Sequence, residues 1–501
     1  MPESRLAVID CGSNSFRLVV FTSTDRWWKR TDEIHESVRV GEGLDATGEL
    51  GEAPMERALE TLELYAHFCN ATGIEEIRTV ATSAIRDAGN QQAFLKAAKQ
   101  RSGLEIEVLS GEAEAHYGYL AAVNTTTLSQ GVVLDLGGGS MQLTRVEDRA
   151  AIEGRSWPLG AVRMTERFLP EGGKAKRKPM KALRDHVTAA IERGALLDEG
   201  GRLTGIGGTV RNLAAAAQLA AGLPSYGVQG FRVSRDALGE LIETLAELPP
   251  ERRADVPGIK FARADLILAG ALVVDTVMEA GGFGLIEATD AGLREGVFFE
   301  TLLGDPPLTD DVRRAAVMNL AAQYDADFTH VEHVAQLAFE LWDGLAAAGL
   351  HRGDPKEREL LWATAMLHDI GVAVDYDDHH KHSRYLILNA GLPGYSPREA
   401  ALIGQAARYH RKGTPGLGEF APLARDGDAA MLDRISAMVR LGEQLERSRD
   451  QAVSATDVQV ENGRVELRLH ATEDVTIARW AAERQGDLFR RAFGRDLAVT
   501  A

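Results

Sequence analysis

Hydrophobic and polar positions alternate in a pattern that occurs twice. A strand-like run from Leu6 to Ile9 ends at Asp10 and enters a polar turn, Gly12-Ser13-Asn14-Ser15. The chain then returns as an apolar run from Leu18 to Phe21. The same design recurs 125 residues later: Val132 to Leu134, then Asp135, then Gly137-Gly138-Gly139-Ser140, then Leu143. VIDCGSNSFRL and VLDLGGGSMQL share the aspartate, the first glycine, the last serine and the final leucine at the same offsets. Two strand–Asp–turn–strand units that open two segments of similar size predict a duplicated α/β fold.

Between and after the repeats the period lengthens. Ala58, Leu62, Tyr65 and Ala66 recur at helical spacing and predict a helix over Met55 to Thr72. A strand at Ile77 to Ala81 and a helix over Gln91 to Arg101 follow. The second segment predicts helices at Lys181 to Leu197 and Arg235 to Leu248, and a strand at Gly284 to Glu287 followed by the turn Thr289-Asp290-Ala291-Gly292. A third Gly-rich turn, Gly205-Ile206-Gly207-Gly208-Thr209, precedes an Ala-rich helix from Asn212 to Ala221. Gly304-Asp305-Pro306-Pro307 marks a boundary, because regular structure rarely crosses Pro-Pro. Beyond it the pattern is helical to about Arg449. A hairpin from Val458 to Leu469 about Asn462-Gly463 and a helix from Arg479 to Phe493 close the chain. The expected domains are thus 1–125, 126–303, 308–450 and 451–501.

Composition narrows the chemistry. The 501 residues carry a net charge of −18, which argues against nucleic acid or an anionic membrane as partner, so an anionic ligand needs positive charge gathered locally. Cys11 and Cys69 are too few for a disulfide framework, and the start of the chain has no leader-like pattern; the expected location is the cytoplasm. The longest apolar run, Leu266 to Val274, is too short to span a bilayer.

Glycine-rich turns let successive backbone N–H groups cradle phosphate oxygens. An aspartate just ahead of each turn repels phosphate unless a hard divalent cation lies between them. Asp10 and Asp135 are therefore expected to face each other across a cleft, with Mg²⁺ or Mn²⁺ between them and the phosphates. Ordinary hairpin turns explain either loop singly, since Asp, Gly, Ser and Asn populate turns anyway; the pair favours phosphate binding. Cys11, in the first turn, reads as a small buried residue rather than a reactive thiol.

DCGSNSFRLVVF, ATSAIRDA, LSGEAEAHYGYL, DLGGGSMQL, GIGGTVRNLA and ATDAGLREGV resemble, in order and spacing, the exopolyphosphatase / guanosine-pentaphosphate phosphohydrolase (Ppx/GppA) family. The resemblance covers about residues 5–300 and implies two actin/Hsp70-like, ribonuclease H-like half-domains with a cleft between them. It places the catalytic base on Glu114, with Glu112 as rival, and a phosphate-contacting arginine on Arg86. Metal organisation falls on Asp135 and Asp10. Phosphate binding falls on Ser13, Asn14, Ser15, Arg17, Gly137, Gly138, Gly139, Ser140, Gly207, Gly208, Thr209 and Arg294. One departure stands out: family members usually carry a glutamate where this chain has Gln142, which keeps the reach but not the charge. Related ectonucleotidases also carry a glutamine there.

AMLHDIG, HKHSRYLILNAGLPGYS and ARYHRK resemble the helical C-terminal half of longer family members, and through them the HD metal-phosphohydrolase superfamily. That implies an all-α HD-like domain followed by a small α+β extension, and a second divalent metal on His330, His368 and Asp369. The late aspartate of that pattern falls on Glu443. The domain serves either as a scaffold without metal or as a working centre. His382, His410, Arg411 and Lys412, and the basic cluster Lys176, Arg177 and Lys178, are candidates to line a path for polymer. For the basic cluster an exposed loop is the alternative.

The expected activity is Mg²⁺-dependent, processive release of terminal phosphate from inorganic polyphosphate by a homodimer, with the helical half extending the cleft into a channel. Two alternatives remain: hydrolysis of the 5′-terminal phosphate of guanosine pentaphosphate, and a polyphosphate-binding sensor with a separate HD phosphohydrolase centre.

Overall fold

The computed structural model describes residues 3–169, 173–191, 197, 201–461 and 463–500. Two compact units divide the chain, Met1–Val312 and Arg313–Ala501.

The first unit opens with β1 (Ser4–Cys11), β2 (Phe16–Ser23) and β3 (Trp28–Glu36), then α1 (Leu44–Thr47), α2 (Glu52–Thr72), β4 (Glu76–Ala81), α3 (Ser83–Arg86), α4 (Gln91–Ser102), β5 (Ile106–Val108) and α5 (Gly111–Thr125). Its second half runs through β6 (Gly131–Leu136), β7 (Met141–Glu147), β8 (Ala150–Trp157), α6 (Ala161–Phe168), α7 (Arg177–Ile191), β9 (Arg202–Ile206), α8 (Gly207–Ala220), β10 (Arg232–Ser234), α9 (Arg235–Glu247), α10 (Ile267–Ala280), β11 (Leu285–Ala288) and α11 (Leu293–Leu303).

The duplication legible in the motifs extends to whole sheets. One sheet has the order β3-β2-β1-β4-β5 and the other β8-β7-β6-β9-β11, with β10 added at its edge. In both, an antiparallel three-stranded meander continues through a central strand into parallel neighbours. Asp10 pairs with Arg17 across the first hairpin and Asp135 with Gln142 across the second, so the two motifs are superposable in register as well as in sequence.

Each half has its own apolar core, and a third cluster joins them. There Phe298 of α11 stacks on Phe21 of β2 with ring centroids 4.3 Å apart, and Trp28 meets Phe299 edge-on at 5.3 Å. Tyr117 of α5 donates to Glu300 of α11 at 2.9 Å. The two helices meet at Gly296, where a Cβ would lie 1.9 Å from the Tyr117 carbonyl oxygen, so only hydrogen fits. The apolar run 266–274 lies in α10, buried nearly all round. Asp275, which ends that run, is paired with Arg184 and Arg235. No helix among the described residues is long and apolar enough to cross a membrane.

Several expected boundaries move. The stretch 205–209 is not a turn ahead of a helix at Asn212: β9 runs to Ile206 and α8 begins at Gly207. The helix expected over Lys181 to Leu197 is Arg177–Ile191, and residues 192–196 lie outside the described residues, as does Asn462 of the expected hairpin turn. Helix 479–493 is two helices rather than one.

The second unit carries α12 (Val312–Gln323), α13 (Phe328–Ala347), α14 (Pro355–Leu367), α15 (His379–Ala390), α16 (Pro397–Tyr409) and α17 (Asp428–Leu445). The antiparallel pair β12 (Val453–Glu461) and β13 (Arg464–Ala471) follows, then α18 (Thr476–Glu483), α19 (Gly486–Phe493) and β14 (Asp496–Thr500). Val453, Leu467, Phe489 and Phe493 share one core with Leu337, Leu341, Trp342 and Met438, so the tail completes the helical core.

Gly296→Ala forces α5 and α11 apart against backbone, which cannot step aside as a side chain can. Overpacking of this kind costs about 3 kcal/mol, and urea unfolding should show a loss of that order. Because α5 carries Glu114 and α11 carries Arg294, catalysis should fall further than stability alone accounts for.

Candidate active site

The two equivalent loops, 12–15 and 137–140, face one another across a cleft in the first unit, lined also by Asp10, Arg17, Thr82, Ser83, Glu114, Asp135, Gln142, Gly207, Gly208 and Arg294. Local folding explains each wall. β1 and β6 end on their aspartates' side of the loops. The Gly137 and Gly138 carbonyls accept from the Ala161 and Val162 N–H groups at the start of α6, which turns the second loop inward. Ser13 Oγ lies 3.2 Å from Ser83 Oγ and ties the first loop to the start of α3. Gly207 has φ of 92°, and a Cβ there would come within 2.8 Å of the Leu136 carbonyl and 3.1 Å of Asp135 Oδ1. Glycine is required, and it presents the uncapped N-terminus of α8 to the cleft beside the aspartate.

Glu114 lies in the first turn of α5, whose N-cap Ser110 accepts from the Ala113 N–H at 3.2 Å. It is 4% exposed. Arg86 Nη1 donates to Glu114 Oε2 at 2.5 Å, and Gln142 Nε2 approaches the same oxygen at 3.3 Å. Gln142 also donates to Ser140 Oγ and Ser156 Oγ, both at 2.9 Å. Oε1 is thereby left as the oxygen able to take a proton. Burial raises the Glu114 carboxyl to about 7; Arg86 opposes the rise, while Asp135 and Asp10 add to it. Glu112, its rival, is held below the usual glutamate range by backbone N–H and Ser110 hydrogen bonds at the helix start.

Asp135 is pushed up to about 6 by burial and by the Asp10 charge. Among the described residues Asp135 makes no ion pair, whereas Asp10 Oδ2 accepts from Arg294 at 2.8 Å. A half-buried carboxylate with no ion-pair partner among the described residues, beside a second carboxylate, fits a hard divalent ion that takes its remaining ligands from phosphate and water.

Four guanidinium groups surround the same space. Arg17 and Arg263 are both pushed down to about 10 by burial and by neighbouring arginines, and Arg211 is lowered for the same reasons, Arg294 first among its neighbours. Arg294 keeps its proton despite burial because Glu295 and Asp10 lie close. Mutually repelling, partly buried cations of this kind are relieved by a polyanion.

Some expected residues lie elsewhere. Arg86 is not among the residues lining the cleft; its guanidinium bonds Glu114, Asp87 at 3.3 Å and the Leu109 carbonyl at 3.0 Å. Thr209 turns its side chain onto Gly270, and Gly139 sits behind the loop against Ser13 and Ser83. Lys176, Arg177 and Lys178 are exposed about the start of α7, away from the cleft lining. Cys11 is buried, and burial with the Asp10 charge raises its thiol well above the usual range, which leaves it inert. Motif reading missed Arg211, Arg263, Thr82 and Ser83. Arg211, Thr82 and Ser83 stand inside GIGGTVRNLA and ATSAIRDA, so the signal was there; Arg263 lies in no glycine-rich segment and arrives only through folding.

In the second unit His330 Nε2 and His368 Nε2 stand 2.9 and 3.2 Å from Glu443 Oε2, and 4.0 and 3.9 Å from the Asp369 carboxylate. His330 Nδ1 is buried without a hydrogen-bond partner. His333 pairs with Glu446 at 2.7 Å. His410 corrects an expectation: it is 1% exposed and turned inward to Asp369, so it lines no polymer path.

Comparison with known proteins follows the same division of the chain. The Ppx/GppA phosphatase family matches residues 19–304, and Ppx/GppA phosphatase, domain III, matches residues 312–483. A Vibrio parahaemolyticus protein named guanosine-5'-triphosphate,3'-diphosphate pyrophosphatase is 30% identical over 420 residues, covering 82% of each chain. A Vibrio vulnificus protein of the same name is 28% identical over 456 residues, covering 89% of each. The solved Aquifex aeolicus Ppx/GppA family member superposes with a TM-score of 0.53 at 28% identity, covering 61% of this chain and 99% of that one. A Cytophaga hutchinsonii exopolyphosphatase superposes at 0.54 with 20% identity, covering 60% and 98%, a likeness of fold.

The rise of Glu114 to about 7 gives a definite pH dependence. A base must be ionised, so below about pH 7 the rate of phosphate release should fall tenfold per pH unit, and above it level off. Gln142→Glu sets a second carboxylate beside Glu114 and should move that limb to higher pH; an unmoved limb would show that Glu114 is not the titrating base.

Proposed function

The chain belongs to the Ppx/GppA phosphatase family, whose members are phosphoanhydride hydrolases, and from that premise we propose that it removes terminal orthophosphate from inorganic polyphosphate, with Glu114 as general base. The observation that carries the substrate class is the convergence of Arg17, Arg211, Arg263 and Arg294 on one cleft, a charge density that matches several consecutive phosphates rather than one.

In this reading the terminal phosphoryl group rests in the loops 12–15 and 137–140 against the α8 N-terminus. The arginines take its non-bridging oxygens, spreading the charge that develops as the anhydride bond breaks. Water stands at Glu114 Oε1, which accepts its proton as oxygen attacks phosphorus, while Arg86 and Gln142 fix Oε2 and so the direction of the lone pair. A divalent ion on Asp10 and Asp135, magnesium in our reading, would screen phosphate oxygens from those carboxylates. Release of orthophosphate leaves a chain one unit shorter, still held by the arginines. The setting we assign is the cytoplasm, consistent with two buried free cysteines.

A second reading, guanosine pentaphosphate as substrate, is favoured by a specific feature. A cavity of about 410 Å³ adjoins the phosphate site through Ser13 and Asn14. Its wall mixes Val162, Leu169 and Leu266 with Glu42, Glu166 and Glu251, and the relatives from Vibrio carry the guanosine name. Arg39, paired with Asp265, and Arg253 also line it, and the remaining carboxylates suit the N–H donors of a guanine edge.

Parallel assays of phosphate release from long-chain polyphosphate and from guanosine pentaphosphate decide between the two. Glu114→Gln should lower both about 10²- to 10⁴-fold with polyphosphate binding retained. Arg211→Ala or Arg263→Ala should raise the KM for polyphosphate tenfold or more, the worth of one charge-assisted contact. Glu166→Ala should leave polyphosphate release intact, and a selective loss of nucleotide hydrolysis in that variant would establish the second reading.

A further inference from the structure

We propose that His35 is a further specificity-determining residue of the phosphate cleft, binding internal phosphates of the polymer at the point where the chain leaves the four arginines. The inference rests on polyphosphate as the substrate and adds the direction in which the chain runs out of the cleft.

Strand register places the residue. Asp10 of β1 is paired with Arg17 of β2, and Arg17 in turn with His35 of β3. Directly opposed residues of antiparallel strands project from one face, with Cβ atoms about 4.5–5.5 Å apart. Asp10, Arg17 and His35 therefore form one row across the sheet. Asp10 and Arg17 line the cleft, and His35 is the next position outward, on the edge strand. The second repeat carries the equivalent row, Asp135 with Gln142 and Gln142 with Ser156. Its third member joins the site, since Ser156 Oγ accepts from Gln142 at 2.9 Å.

The two outer positions differ in access. Gly111, the first residue of α5, lies over Ser156, and a Cβ on it would come within 2.7 Å of the Ser156 Cβ. That end of the second row is closed. His35 is exposed. A linear polymer whose end rests in the two loops thus leaves past Arg17 and His35 rather than past Gln142 and Ser156.

Electrostatics explains why the residue is a histidine. Partial desolvation and the charges of Arg17, Arg263 and Arg294 push the imidazole down to about 4, while Glu33, on the same face of β3, opposes them. Glu33 itself pairs with Arg17 at 3.3 Å. At neutral pH the ring is uncharged in the empty cleft, where a fifth cation would add to the repulsion among the arginines. A bound polyanion reverses the local field: phosphates neutralise the arginines, the ring takes a proton from solvent, and the imidazolium donates to a phosphate oxygen. The positive charge is present only when there is a chain to hold.

Phosphate release from long-chain polyphosphate and from tripolyphosphate, by the full-length protein and its His35→Gln and His35→Lys variants, tests the proposal. His35→Gln should raise the KM for the long chain about tenfold, the loss of one charge-assisted contact, and that for tripolyphosphate less, with the change in KM rather than kcat. The wild-type KM for the long chain should rise with pH as the bound imidazolium loses its proton, and His35→Lys should restore a low KM and flatten that rise. Calorimetric titration of Glu114→Gln with long-chain polyphosphate, in two buffers of different ionisation enthalpy, should show more proton uptake than the same titration of Glu114→Gln/His35→Gln. An unchanged long-chain KM in His35→Gln, an equal rise for both substrates, or equal proton uptake with and without His35 overturns the role of His35. A wild-type protein that releases phosphate from guanosine pentaphosphate but not from polyphosphate overturns instead the substrate reading, and this inference with it.

Discussion

Everything in the first unit depends on holding like charges together out of water. Asp10, Asp135 and Glu114 converge from β1, β6 and α5, and four arginines converge from four other segments, within a cleft too small to hydrate them separately. Only part of this charge is paired internally, through Arg294 with Asp10, Arg86 with Glu114 and Arg17 with Glu33. The remainder is the ligand's share. Such a cleft suits a polyanion together with a divalent cation, and it gathers positive charge locally in a chain with a net charge of −18.

The scaffold has to be stiff for that arrangement to persist. The two cores are joined through α5 and α11, which approach each other at Gly296 and are locked by the aromatic cluster of Phe21, Trp28, Phe298 and Phe299. These two helices start with the residues that matter most, Glu114 in one and Arg294 in the other. Apolar packing and cleft geometry are therefore one constraint: the cluster that closes the interface also sets where Glu114 and Arg294 stand relative to one another.

How far the sequence reveals this follows from what each interaction leaves in the chain. Strand–Asp–glycine loops need fixed neighbours at fixed offsets, so Asp10, Asp135 and both loops were legible, and so was the duplication. Arg86 was legible as a residue but not as a role, because its motif cannot tell a phosphate from the Glu114 carboxylate only 28 positions away. Arg263 was invisible, since no local pattern distinguishes it from a surface arginine; its position is set by the fold around α8 and α10. In the helical unit His330, His368, Asp369 and Glu443 could be picked out, whereas the inward turn of His379 and His410 depends on the carbonyls of Tyr376 and Ala407, which no residue spacing encodes.

Duplication also explains why one difference between the repeats matters. Arg17 and Gln142 occupy equivalent places, each opposite its strand aspartate across a hairpin. A cation in the first place adds to the phosphate-binding charge. A cation in the second place would add to Arg86 in lowering the Glu114 pKa, while a carboxylate would push that pKa higher. A neutral amide does neither: Gln142 donates to Ser140 and Ser156 and approaches Glu114 Oε2 at 3.3 Å, while burial holds the Glu114 carboxyl near 7. The equivalent positions of the two repeats thus differ in charge, a cation at Arg17 and a neutral amide at Gln142 against Glu114.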